Sequence, residues 1–285
     1  MQRALFDRHP GINNIGKPRH LESGETARFI ETLRFSEHFS FRENRDAQSF
    51  FASQLEPAKL NVFSAEDMAL GPYWINANPK TADRHSILLS LKLLGPNAKV
   101  LVVVRDQLPL LSSIYTQLLA GGNARLPDFQ SWVTEQLDNR GGPSVLDALD
   151  YAPYLEVVAD LFGREHVIAM DFTEIASDTE AALTKLTAAL ELEPLPPPPN
   201  SQHNVRRTGL EMRLLSVWKR APWLRAGIHR LPEGLKRGLV RGASALGRNV
   251  PTEFTEEQKV TLQDHFAPHN ARLRESWGLG EGWSA

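Results

Sequence analysis

The chain has 285 residues, 41% of them hydrophobic and 23% charged, with no cysteine and a formal net charge of −2. This composition suits a globular protein with ample core, and it excludes disulfides, thiolate metal centres and a cysteine nucleophile. No apolar run approaches the roughly 18–20 residues of a membrane-spanning helix, and nothing resembles a signal peptide, so a reducing cytoplasm is the expected compartment.

Taken in order, residues 2–8 form an amphipathic piece closed by Arg8-His9-Pro10-Gly11, and 13–18 is rich in turn formers. Helices are expected over 25–36 and 47–52, with a short strand over 60–64. Ser64 is placed to cap the turn that follows, with Glu66 at its positive end. Residues 71–83 read as an irregular loop, and 86–94 as a helix stopped by Gly95-Pro96. Val100 to Val104 is an unbroken apolar, β-branched run, the signature of a strand buried on both faces of a parallel sheet. Helices follow over 108–119 and 126–137, then a break at Arg140-Gly-Gly-Pro143 and a helix over 154–162. Residues 165–172 read as another buried strand, and 178–190 as an amphipathic helix that Asp178 caps. Residues 194–199 are a stiff proline-rich connector. The final helical segment spans 255–277, with a break expected at Pro268. Strands alternating with helices at these spacings predict an α/β fold with a parallel sheet.

Charge is unevenly spread. Residues 201–250 hold eleven Lys or Arg against two Glu, so the acidic surplus lies elsewhere. Such a segment faces an anionic partner, pairs with the acidic remainder, or solvates a helical face. Among chemical signatures, GxxxxGK[ST], GxGxxG after a strand, GxSxG and HExxH are all missing from the sequence. His265 and His269 stand four apart with Pro268 between them, which reads as a surface pair rather than a metal site. Arg105-Asp106 is more informative. It ends a buried strand, and Pro109 lets a helix bearing Ser113 and Tyr115 begin soon after. Ligands of open α/β sheets bind at such carboxyl ends, and a cation with a hydroxyl suits a phosphate. A solvated strand end is the plain alternative.

The order strand, Arg105-Asp106, proline, Ser113 resembles the nucleotide-binding motif of the sulfotransferases, where an arginine ends a strand and a serine follows eight residues later. Further along, Tyr151-x-x-Tyr154-Leu, Phe162-Gly-Arg-Glu-His-Val and Asp171-Phe-Thr-Glu are similar to a region of that family. Phe266-Ala-Pro-His-Asn270-Ala-Arg-Leu-Arg-Glu, with Trp277-Gly-Leu-Gly after it, is similar to the tail of bacterial members. The resemblance implies a three-layer α/β fold, P-loop NTPase-like, with a mostly parallel sheet flanked by helices. It implies a core over 1–193, a connector over 194–200, and a basic helical part over 201–285 that packs on the same domain. It further implies that Arg105 and Ser113 hold the 3′-phosphate of 3′-phosphoadenylyl sulfate (PAPS) as co-substrate, without a metal. Arg206 and Arg207 match only approximately the basic segment that closes over this phosphate.

The front of the chain departs from the family pattern. Sulfotransferases open with a strand and a phosphosulfate loop of the type KTGTT, whereas residues 1–12 look like the helix that follows that loop. The expectation is a core lacking its first strand and loop, with a late-assigned start as one explanation and a truncation or inactive relative as another. For the base on the acceptor, the resemblance points to His20 and Glu22, with Lys17 near them, and to Glu66 in second rank. The expected partner is an acceptor such as a carbohydrate, lipid or small molecule, with no nucleic acid. Residues 201–250 would give peripheral contact with a membrane or polyanion, placing the protein in the cytoplasm or at the inner membrane face. A non-catalytic nucleotide- or partner-binding relative and a P-loop kinase-like enzyme are the alternatives.

Overall fold

The computed structural model describes residue 6 and residues 9–15, 24–63, 84–120, 126–139, 144–194 and 251–284. In chain order its elements begin β1 (Ile12–Asn14), α1 (Glu25–Phe35), α2 (His38–Glu43), α3 (Arg45–Ser53), β2 (Leu60–Val62), α4 (Arg84–Leu94) and β3 (Val100–Val104). They continue with α5 (Gln107–Ala120), α6 (Phe129–Asp138), α7 (Val145–Ala148), α8 (Tyr151–Phe162), a 3-10 turn (Arg164–His166), β4 (Val167–Asp171), α9 (Phe172–Ser177), α10 (Thr179–Ala189) and α11 (Glu256–Trp277). Two compact units emerge. One draws on Met1–Arg105, Arg140–Pro199 and Phe266–Trp283, the other on Asp106–Asn139, Asn200–His265 and Ser284–Ala285.

In the first unit every described strand pairs in parallel, β1 with β2 and β3 with β4. The longer pair aligns Val100 with Val167 and Val104 with Asp171. Side chains alternate between faces along a strand, so this pair has two apolar sides. On one, Val100 and Val167 join Leu88 of α4 and Val158 and Phe162 of α8. On the other, Leu101, Ile168 and Met170 join Ala182, Leu183 and Leu186 of α10. Helices therefore cover both faces of the pair, and the α/β class holds. Ile12, Leu60 and Val62 of the shorter pair lie in the same α10 cluster. A third cluster packs α1, α2, α3 and α4 through Phe29, Leu33, Phe41, Ala47 and Ile87.

The sequence shows where several helices start. Asp178 accepts from the Ala181 N–H at 2.9 Å and caps α10 as expected. Asp128 does the same for α6, and Ser144 with Asp147 forms a capping box on α7. In the second unit, Thr255 and Gln258 form a reciprocal cap at the start of α11, each backbone N–H donating to the other's side-chain oxygen at 3.1 Å. There Tyr115 and Phe129 pack edge to face, and Phe254 stands edge-on to Phe129 at 4.8 Å. Gln258 ties α11 to α6 through the Gln130 carbonyl and Thr134.

Four expectations need correction. β3 is not buried on both faces: Val103 is 42% exposed, because β4 is its only neighbour among the described residues. In place of one sheet, the described strands form two separate two-stranded sheets. Residues 13 and 14, the start of the 13–18 stretch read as turn, belong to the strand Ile12–Asn14, with the Asn13 side chain donating to Asn61 at 2.8 Å across the pair. Finally, α11 runs unbroken through Pro268. The proline removes one backbone donor, but Phe266, Asn270 and Leu273 are buried on either side of it and hold the helix in line. α2, α7 and α9 were not foreseen, being only four to six residues long. The amphipathic piece near Met1, the 71–83 loop, most of the proline connector and the basic segment lie outside the described residues. Among the described residues no helix is long and apolar enough to cross a membrane.

Leu186 is fully buried in the cluster that both strand pairs share. Leu186→Ala should lower the unfolding free energy by about 2–5 kcal/mol, read from the midpoint of a urea titration at constant slope.

Candidate functional site

Because Val104 lies opposite Asp171, the chain leaves both strands of the β3–β4 pair at the same level. Arg105 and Phe172 are the next residues. The Arg105 guanidinium carbon stands 4.9 Å from the centre of the Phe172 ring, which is 40% exposed. A guanidinium at that distance from an aromatic ring is attracted to it without being neutralised. Among the described residues its N–H donors meet no hydrogen-bond acceptor and no carboxylate.

The nearby acid does not need the arginine. Asp171 is only 5% exposed, yet both of its oxygens are satisfied. Oδ1 accepts from the Thr173 N–H at 2.7 Å, which caps α9, and Oδ2 accepts from the Trp283 indole N–H at 2.7 Å. A buried carboxylate with two donors is tolerable without a counter-ion. No ion pair joins Asp171 to Arg105 among the described residues.

Within the second unit, Asp106 starts α5. Its carbonyl accepts from Leu110 at 3.2 Å and its Oδ1 from the Leu108 N–H at 3.2 Å. Oδ2 takes the Ser284 N–H at 2.8 Å and the Ser284 hydroxyl at 2.6 Å. The Arg105-Asp106 charge pair of the sequence is therefore a cation with no acceptor among the described residues, followed by a helix cap. Ser113 is half-buried on α5, and its hydroxyl makes no hydrogen bond among the described residues. It lies two turns inside the helix, about 9 Å along the axis from Gln107, so it gains nothing from the helix start. Tyr115 is structural: its hydroxyl donates to the Pro127 carbonyl at 2.8 Å, and burial, with Asp128 second, pushes its ionisation upward.

His20, Glu22, Glu66, Arg206 and Arg207 lie outside the described residues, as do Lys17 and Ser64. The sequence reading missed Phe172 and Trp283 as neighbours of the strand end. Phe172 was visible as the residue after a predicted strand. Trp283 left no signal, since its partner stands 112 positions away.

A second polar cluster in the first unit lies around Asp150. Its carboxylate faces His269 at 3.5 Å, so His269 belongs to a half-buried pair and not to a surface one. Arg84 donates to the Asp147 and Ala148 carbonyls and lies over the Tyr154 ring. Burial raises the Asp150 carboxyl to about 6, with His269 and Arg84 pulling it down and Asp147 pushing it up. Among the described residues no three His, Asp or Glu side chains gather to hold a metal.

No protein-family model matches the chain, and no curated protein matches it. Among solved structures, a sulfotransferase from Alicyclobacillus acidocaldarius superposes with a TM-score of 0.48 at 18% identity, covering 82% of this chain and 92% of that one.

The Asp150 shift has a definite sign. Between its ordinary 3.8 and about 6, the folded state holds a proton that the unfolded state has lost, so stability falls as pH rises through that window. The melting-temperature difference between Asp150→Asn and wild type should therefore move in favour of the variant from pH 4 to pH 7. A difference that stays flat over that range contradicts the assignment.

Proposed function

We propose that this chain binds PAPS through Arg105 and is a sulfotransferase, moving a sulfuryl group to an acceptor hydroxyl or amine. The observation that carries the reading is the open guanidinium at the carboxyl end of β3, seated on Phe172 with its donors unclaimed among the described residues. A 3′-phosphate presents paired oxygens that such a fork takes in two bonds, each worth about 1.5–3 kcal/mol when charge-assisted. Ser113 is assigned to the same phosphate on its eight-residue spacing from Arg105 alone, and Arg206 and Arg207 on their basic pattern. The basic stretch 201–250 is assigned to a polyanionic acceptor or to an anionic membrane surface on the cytoplasmic side.

In the transfer, the bond between sulfur and the bridging phosphate oxygen breaks as sulfur bonds to the acceptor oxygen or nitrogen. The acceptor gives up its proton to a base, and adenosine 3′,5′-bisphosphate leaves. Glu22 or His20 is the proposed base, with Glu66 in second rank, and Lys17 a cation for the bridging oxygen. Sulfuryl transfer of this kind calls for no metal ion.

Calorimetric titration with adenosine 3′,5′-bisphosphate tests the reading. Losing a charge-assisted bond should weaken binding by about tenfold or more in Arg105→Ala, with an unchanged melting temperature. Equal affinities in the two proteins, or no binding by wild type, would overturn it.

A further inference from the structure

We propose that Phe172 is a positioning residue for the anion site, its ring settling the Arg105 guanidinium where it meets the phosphate. The inference rests on the reading of Arg105 as the phosphate ligand. Arg105 and Phe172 directly follow Val104 and Asp171, which stand opposite each other on neighbouring strands. Side chains alternate along a strand, so the two turn to one side of the pair, away from the Asp171 carboxylate. The guanidinium carbon lies 4.9 Å from the ring centre, inside the roughly 6 Å range of a cation–π contact.

Core packing does not account for this ring. Phe172 is 40% exposed and belongs to none of the three apolar clusters described above. Its backbone is nonetheless held on both sides. Asp171 before it is paired in the ladder with Val104, and the Thr173 N–H after it donates to Asp171 Oδ1 at 2.7 Å. The indole N–H of Trp283 anchors the other oxygen of Asp171 at 2.7 Å. An exposed ring on a fixed backbone is a support for a long, flexible cation. An arginine side chain has many rotamers, and ordering it on binding costs affinity. The ring draws the guanidinium to one place beforehand, without adding a negative charge that would compete with the phosphate.

Phe172→Leu keeps an apolar side chain and removes the ring, whereas Phe172→Tyr keeps an aromatic face. Adenosine 3′,5′-bisphosphate should bind Phe172→Leu about threefold more weakly than wild type, and Phe172→Tyr as tightly as wild type. Adding Phe172→Leu to Arg105→Ala should cost nothing further, as for groups that act through one another. A second arm uses no ligand. In proton NMR the Arg105 δ-methylene resonances should be displaced by the Phe172 ring current, return to their ordinary position in Phe172→Leu and stay displaced in Phe172→Tyr. A purely structural ring would lower the melting temperature of Phe172→Leu and leave the Arg105 resonances where they were. Identical Arg105 resonances in wild type and Phe172→Leu overturn the proposal. So does an affinity loss that persists in full in the Arg105→Ala background, which would mark direct contact of the ring with the nucleotide. If wild type binds no bisphosphate, the phosphate reading fails and the role at an anion site with it, while the proton resonances still decide whether Phe172 holds Arg105.

Discussion

The parallel register between β3 and β4 sets the level of Arg105, Asp171 and Phe172. It sets Val104 against Asp171, so one strand leaves an arginine and the other an acid and a phenylalanine at a common level. It also defines the two apolar faces that α8 and α10 cover, one through Val100 and Val167, the other through Leu101, Ile168 and Met170. A one-residue slip would turn each of those side chains to the opposite face and break up both clusters. Position at the strand end is thus a consequence of core packing, not of any interaction the arginine makes itself.

What the strand end can bind follows from how its polar groups are satisfied. Asp171 is buried but has donors on both oxygens, and Asp106 is engaged in the same way in the second unit. In each case one oxygen serves a helix start and the other receives an N–H from the end of the chain. Among the described residues neither acid pairs with Arg105. The Phe172 ring attracts that cation without neutralising it, as an aromatic surface does for a guanidinium.

Local patterns made much of this legible. The β-branched run at Val100 to Val104 marked its strand, Asp178 marked the start of α10, and the apolar spacing after Pro109 marked α5. The number of neighbours a strand has is not a local property, so Val103 read as buried although one edge of β3 is unpaired among the described residues. Short helices such as α9 escape because six residues carry too little periodicity, and their starting caps are also common in turns. Pro268 misled for the opposite reason, since packing of Phe266 and Leu273 outweighs one lost backbone bond. Trp283 was beyond reach, because a contact across 112 residues leaves no trace in spacing.

The central claim is that Arg105 receives the 3′-phosphate of an adenosine nucleotide, and phosphorus NMR of adenosine 3′,5′-bisphosphate reads it directly. The account predicts that adding the protein shifts and broadens the 3′-phosphate resonance, and that Arg105→Ala restores it toward the free position. A response confined to the 5′-phosphate, or a 3′ response that survives Arg105→Ala, would contradict it.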